Sequence, residues 1–128
     1  MANKYSKASR ERLDTCHPLL IKLMERILPR WDHTIVCGHR SKEEQNRLYA
    51  EGKSQLQYPR SKHNAYPSIA VDIQPYPFKD ERDLYYFIGY VKGVADEMGI
   101  KLRMGADWND NKTVTDNWID AFHIELVL

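Results

Sequence analysis

Two histidines and an aspartate, His63, Asp72 and His123, are the residues of this chain whose types and placement suit metal chemistry. A catalytic zinc site commonly takes three protein ligands from His, Asp, Glu or Cys and leaves a fourth position to water. Two imidazole nitrogens and one carboxylate leave one net positive charge on a divalent ion, which suits a borderline metal such as zinc and polarises that water. Its pKa then falls from about 15.7 towards roughly 7. Such a water needs a group to take and return its proton, and Asp120, three residues before His123, is the candidate base. Arg40 is the candidate cation, able to share oxyanion charge or to grip a substrate carboxylate. Each residue taken singly has an ordinary explanation. His63 would be a surface residue, Asp72 a strand-edge ion pair, His123 a satisfied core histidine, Asp120 a turn residue and Arg40 a solvated cation. Their coincidence is what favours a site, with His39, beside Arg40, as the leading alternative ligand ahead of His17 and His33.

The elements that must position these residues follow from apolar spacing and breakers. Residues 1–8 are polar and unpatterned and read as a flexible N-terminus, with Ser9 capping a short helical turn that ends near His17, before Pro18. Pro18 suits the first turn of a helix in which Leu20, Leu23, Met24 and Ile27 form one apolar stripe. Thr34–Cys37 reads as a buried strand. Ser41 then opens a helix with Glu44 as its capping-box partner, which places His39 and Arg40 at a strand-to-helix junction. That helix runs to about Glu51 and stops at Gly52, and a polar loop over 53–68 carries His63. In Ile69–Ile73 the alternation sets Val71 and Ile73 on one face and Ala70 and Asp72 on the other. Asp80 caps a helix with a broad apolar face, Leu84, Phe87, Ile88, Val91, Ala95 and Met98, ended by Gly99. A short strand near Lys101–Met104 and a last strand, in which Phe122, Ile124 and Leu126 alternate with His123 and Glu125, complete the chain.

Bulk properties limit the classes available. With 128 residues, 42% hydrophobic and 29% charged, the chain has material for one ordinary globular domain over residues 1–128. A net charge of +1 gives no electrostatic case for nucleic acid. No basic stretch followed by an apolar run marks a secretory leader, and no run is long and apolar enough to span a bilayer. Cys16 and Cys37 stand apart and are expected to remain reduced. The tyrosines 58, 66, 76, 85, 86 and 90, with Trp108 and Trp118, either line a glycan cleft or sit half-buried as tyrosines and tryptophans commonly do.

Four motifs together carry a resemblance: Gly38-His39-Arg40-Ser41 with Gln45 and Leu48-Tyr49, Ser61-Lys62-His63-Asn64, Ala70-Val71-Asp72-Ile73, and Asp120-Ala121-Phe122-His123-Ile124-Glu125-Leu126. From Leu13 to Leu126 the chain resembles the D-alanyl-D-alanine carboxypeptidase-like zinc peptidases. Within them it is most similar to phage endolysins that act as L-alanyl-D-glutamate peptidases on peptidoglycan stem peptides. The resemblance implies zinc on His63, Asp72 and His123, Asp120 as base, Arg40 as the substrate-stabilising arginine, and Ser61 and Gln45 near substrate, with Trp108 added as a cleft aromatic. It implies an α+β fold in which a small, mainly antiparallel sheet carries the zinc and helices cover the other face. It further implies a monomer acting on stem peptides, made in a host cytoplasm and reaching the wall through a separate pore. One departure stands out: eight residues, Asn64–Val71, separate His63 from Asp72, more than is common in the family. They are expected to bulge, and if they displaced His63 its replacement would be His39. The alternatives are a D,D-carboxypeptidase on D-Ala-D-Ala termini and a non-catalytic, zinc-stabilised wall-binding module.

Overall fold

The computed structural model describes residues 2–113 and 119–128. Helices α1 (Lys7–Asp14) and α2 (Pro18–Ile27) precede strand β1 (His33–Cys37) and helix α3 (Lys42–Ala50). A 3-10 turn (Lys62–Asn64), β2 (Ala70–Pro75), helix α4 (Glu81–Glu97), β3 (Leu102–Met104) and β4 (His123–Leu126) follow. The strands form one antiparallel sheet in the order β1-β2-β4-β3, so the class is α+β, as the sequence implies.

The sheet has two unlike faces because side chains alternate along each strand. Ile35 pairs with Ile73, Val71 with Ile124, and Leu102 with Leu126, giving an apolar face that is almost wholly buried. Helix α4 packs on β2 and β3, and α2 packs on α4 through the predicted stripe of Leu20, Leu23, Met24 and Ile27. Burying each such side chain is worth roughly 1.5–3 kcal/mol relative to exposure. The opposite face presents Cys37, Asp72, His123, Glu125 and Arg103. One face of the sheet therefore holds the chemistry, centred on Asp72 and His123 of β2 and β4, while the other face holds the core beneath α4.

The N-terminus departs from the expectation of a flexible stretch through residue 8. Ser6, not Ser9, caps α1, its hydroxyl accepting from the Ser9 amide. Ser9 is instead buried, accepting from the Ile35 amide on β1. Asn3 donates to the Leu28 carbonyl and Tyr5 reaches His33, so the leading residues are tied to α2 and β1. The expected cap failed because a serine that suits a helix start also suits an unpaired strand amide, and only packing chooses between them. Elsewhere the sequence signals hold: Pro18 opens α2 behind a His17 cap, and Ser41 and Glu44 form the full capping box of α3. Among the described residues no helix is long and apolar enough to cross a membrane.

Candidate metal centre

Asp72 is the hub, because the register sets it opposite His123 on β4 and opposite Cys37 on β1. The Cys37 pairing follows a shift in register between Ile35 and Cys37, a bulge of the kind that re-aims side chains. His63 arrives from the 3-10 turn, whose cap is Ser61: its hydroxyl accepts from the His63 amide while Asn64 caps the Ser61 amide in return. The His63 carbonyl accepts from the Arg40 amide at 2.8 Å. Its ring Nδ1–H donates to the Gly38 carbonyl at 2.7 Å. Gly38 lies tight against the end of α1, where a Cβ would be 2.2 Å from the Arg12 carbonyl oxygen, so a side chain there would displace the carbonyl that His63 uses. The eight-residue spacer bulges as expected: it swings out through Tyr66, 73% exposed, and returns at Ser68, which is bonded to Thr15 and His17.

Three donor atoms meet at this point. His63 Nε2 lies 3.1 Å from Asp72 Oδ1 and 3.2 Å from His123 Nδ1, and His123 Nδ1 lies 3.3 Å from Asp72 Oδ1. A carbonyl only accepts, so the Gly38 contact puts the neutral His63 proton on Nδ1 and leaves Nε2 bare. The buried Glu125 does the same from the other side, accepting from His123 Nε2–H at 2.8 Å and leaving Nδ1 bare. Two lone pairs and a carboxylate oxygen then face one another with no proton between them, an arrangement that calls for a cation. Donors bound tetrahedrally at roughly 2.0–2.1 Å stand about 3.3 Å apart, so the triangle fits zinc without rearrangement.

Without a metal, protons must fill the gap. Burial opposes a charged His63, but hydrogen bonds to Asp72 and Cys37 outweigh it and hold the ring's pKa up at about 10. His123 is likewise raised against its burial by Asp72 and Glu125. Asp72 is driven well below the usual carboxylate range, its desolvation overcome by the two histidines. Asp120 moves the other way: burial, then the Asp72 charge, raise it above its ordinary value, as suits a proton acceptor. Its carboxylate lies within 4.8 Å of the donor atoms of Asp72 and His123. The segment carrying it is clamped by Gly105, whose N–H donates to the His123 carbonyl at 2.8 Å and whose carbonyl accepts from the Asp120 amide at 2.9 Å. A Cβ on Gly105 would meet the Asp120 carbonyl oxygen at 1.9 Å, so any side chain there displaces the base. Arg40 sits 3.7 Å from Asp72 Oδ2 with its other arm on Gln45. The triangle of donor atoms forms the floor of a cleft of about 440 Å³ that Arg40, Asp120, Ser61 and Trp108 also line.

The family described as phage L-alanyl-D-glutamate peptidase matches residues 1–127. The chain belongs to that family. The L-alanyl-D-glutamate peptidase of Escherichia phage T5 is 37% identical over 139 aligned positions, covering 99% of this chain and all of that protein. The crystal structure of the Serratia marcescens L-Ala D-Glu endopeptidase ChiX superposes with a TM-score of 0.75 at 25% identity, covering 98% of this chain and 91% of that one.

In this family member the structure brings His63, Asp72, His123, Asp120, Arg40, Ser61 and Trp108 to one cleft. Trp108 stacks at an angle near His123, ring centroids 5.3 Å apart. Gln45 is different: it is fully buried, so the expectation that it touches substrate is corrected. Its oxygen accepts from Arg40 and Asn64 while its nitrogen donates to Ser54 and the Leu56 carbonyl, so the amide is spent bracing the cleft wall. His39 is no substitute for His63, because its Nδ1–H donates to the Ala65 carbonyl and its ring packs on Tyr66. His17 caps α2, and Trp118 lies outside the described residues. Two residues beside the centre escaped sequence reasoning. Glu125 was within reach, since two positions along a strand from His123 means the same face. Cys37, whose thiol lies within 4.8 Å of the His63 and Asp72 donor atoms, depends on the β1 bulge and left no sequence signal.

Proposed function

We propose that this chain is a zinc-dependent peptidoglycan endopeptidase that hydrolyses the L-alanyl-D-glutamate bond of stem peptides. The observation that carries the reading is the convergence of three donors with no proton among them, beside a carboxylate of raised pKa, in a cleft of a chain from this peptidase family. The substrate class comes from the names of the family and the relatives. His63, Asp72 and His123 would hold the zinc, which when bound supplies a polarised water and charge for the oxyanion.

The remaining chemistry belongs to the chain. Asp120 accepts a proton from the attacking water and returns it to the leaving amine, a task its raised pKa favours at neutral pH. Arg40, held by Gln45, aims its guanidinium at the scissile carbonyl and stabilises the negative charge that develops there. Ser61 and Trp108 flank the peptide. Glu125 keeps His123 in the tautomer that presents Nδ1, a role carboxylates often play behind ligating histidines.

Asp120→Ala tests this assignment on purified cell walls. The variant is expected to retain zinc but to release new amino termini roughly 10²–10⁴-fold more slowly. Undiminished release would remove Asp120 from the mechanism. Mass spectrometry of the wild-type products should show fragments beginning at the glutamate, whereas release of terminal D-alanine would point to a carboxypeptidase.

A further inference from the structure

The cleft has an uneven distribution of charge that the mechanism does not use. Its floor carries three carboxylates, of which Asp72 is engaged by the histidines and Arg40, and Glu125 by His123 and Arg103. Asp120 serves the water. The wall formed by residues 53–62 adds Lys53, Arg60 and Lys62. Lys53 pairs with Glu51 at 3.2 Å, but among the described residues Arg60 and Lys62 have no acidic partner within ion-pair distance. The backbone of Lys62 is set by the 3-10 turn that seats His63. Two exposed, unpaired cations beside a metal centre present a site for an anion, and the chain as a whole has no general surplus of positive charge that would explain them, its net charge being +1.

The chemistry of the substrate supplies the anion. Glutamate joined through its nitrogen to alanine has two carboxyl groups, and a linear peptide uses only one of them to continue. The other stays free, a few bonds from the scissile nitrogen, unless it has been amidated. Arg40, braced by Gln45 and Asp72, serves the oxyanion, so the free carboxylate finds its partners on the wall. We propose that Arg60 and Lys62 form a carboxylate subsite that reads this free group, so that the cleft selects unamidated stem peptides over their carboxamide counterparts. The inference rests on the L-alanyl-D-glutamate reading above. Sites that provide charged donors for a substrate group discriminate strongly against analogues that lack it.

The experiment compares two synthetic stem peptides that differ only in that carboxyl group, free acid against carboxamide, with zinc-loaded protein. The wild type is expected to favour the acid in kcat/KM by about tenfold to a hundredfold. In an Arg60→Gln/Lys62→Gln double variant the ratio should fall to near unity. Zinc content and thermal melting of the variant establish that it is folded. The same preference should appear as a ratio of Kd values for the metal-free wild type, where no turnover intervenes. A wild-type ratio near one, in rates and in Kd, overturns the subsite and leaves the peptidase reading standing. So does a preference that survives in the folded double variant. A double variant that is impaired only on intact walls, with its peptide ratio unchanged, assigns the cations to attraction by anionic wall polymers and likewise overturns the subsite. Failure of the wild type to cut either peptide would strike at the parent reading instead.

Discussion

Buried histidines lie at both ends of β1 and β2, and the contrast between them separates a structural histidine from a site. His33 opens β1 and His63 sits beyond its far end, each almost fully buried. Each anchors Nδ1–H on a backbone carbonyl, Trp31 at 2.8 Å for His33 and Gly38 at 2.7 Å for His63. They differ in what meets Nε2. At His33 it is the Tyr5 hydroxyl, which donates at 2.6 Å, with Phe87 packed alongside. Every polar atom of that ring is satisfied, and burial lowers its pKa. At His63 it is a carboxylate and a second bare imidazole, neither of which can donate to a neutral ring. The same residue type at the same depth is complete at one end and in need of a cation at the other. Burial alone therefore does not mark a ligand, whereas the donor or acceptor character of its neighbours does.

The sharpest way to break this contrast is to make the same substitution at both ends. His63→Gln should lose zinc and cut wall hydrolysis by on the order of a thousandfold. His33→Gln should keep zinc and the specific activity of its folded fraction while losing about 1–3 kcal/mol of stability through a broken buried hydrogen bond. Zinc stoichiometry and denaturant melts of the two variants decide it, and equal loss of zinc from both would dissolve the distinction. A smaller effect separates the partners of the histidines. Glu125→Ala should weaken zinc about tenfold to a hundredfold in a chelator competition, with Glu125→Gln recovering part of the loss. Tyr5→Phe should leave zinc affinity unchanged.

The smallest effect is on the pH dependence of the metal-free protein. His63 is raised from 6.5 to about 10, so its contribution to stability is complete below about pH 6.5 and is lost as pH rises through about 10. His33 is lowered, so its contribution is present above its ordinary value of 6.5 and is lost as pH falls below it. Melting temperatures taken with chelator should therefore decline on the alkaline side. Added zinc should flatten that decline by taking the proton's place. A flat alkaline profile without zinc would put His63 in the neutral form, like His33.

Much of this was legible in the chain. Alternation about Val71 and Ile73 placed Asp72 off the core, and alternation about Ile124 did the same for His123. The Ser41 and Glu44 capping box located the junction that carries Arg40. The failures share a cause, which is that a polar side chain has several equally good local uses. Ser9 could cap a helix or a strand and does the latter. Gln45 could face a ligand or brace a wall, and four partners from residues 40–64 draw it inward.

The inventory of donors and the strand faces that carry Asp72 and His123 were determined by sequence alone, because residue type and a period of two are local properties. Tertiary structure decided which histidine turns a bare nitrogen towards Asp72 and His123. The proton on His63 is placed by a carbonyl 25 residues away, and the two bare nitrogens meet across a separation of 60 residues. An imidazole has two tautomers of similar energy, and only the groups that packing brings to each nitrogen can select one.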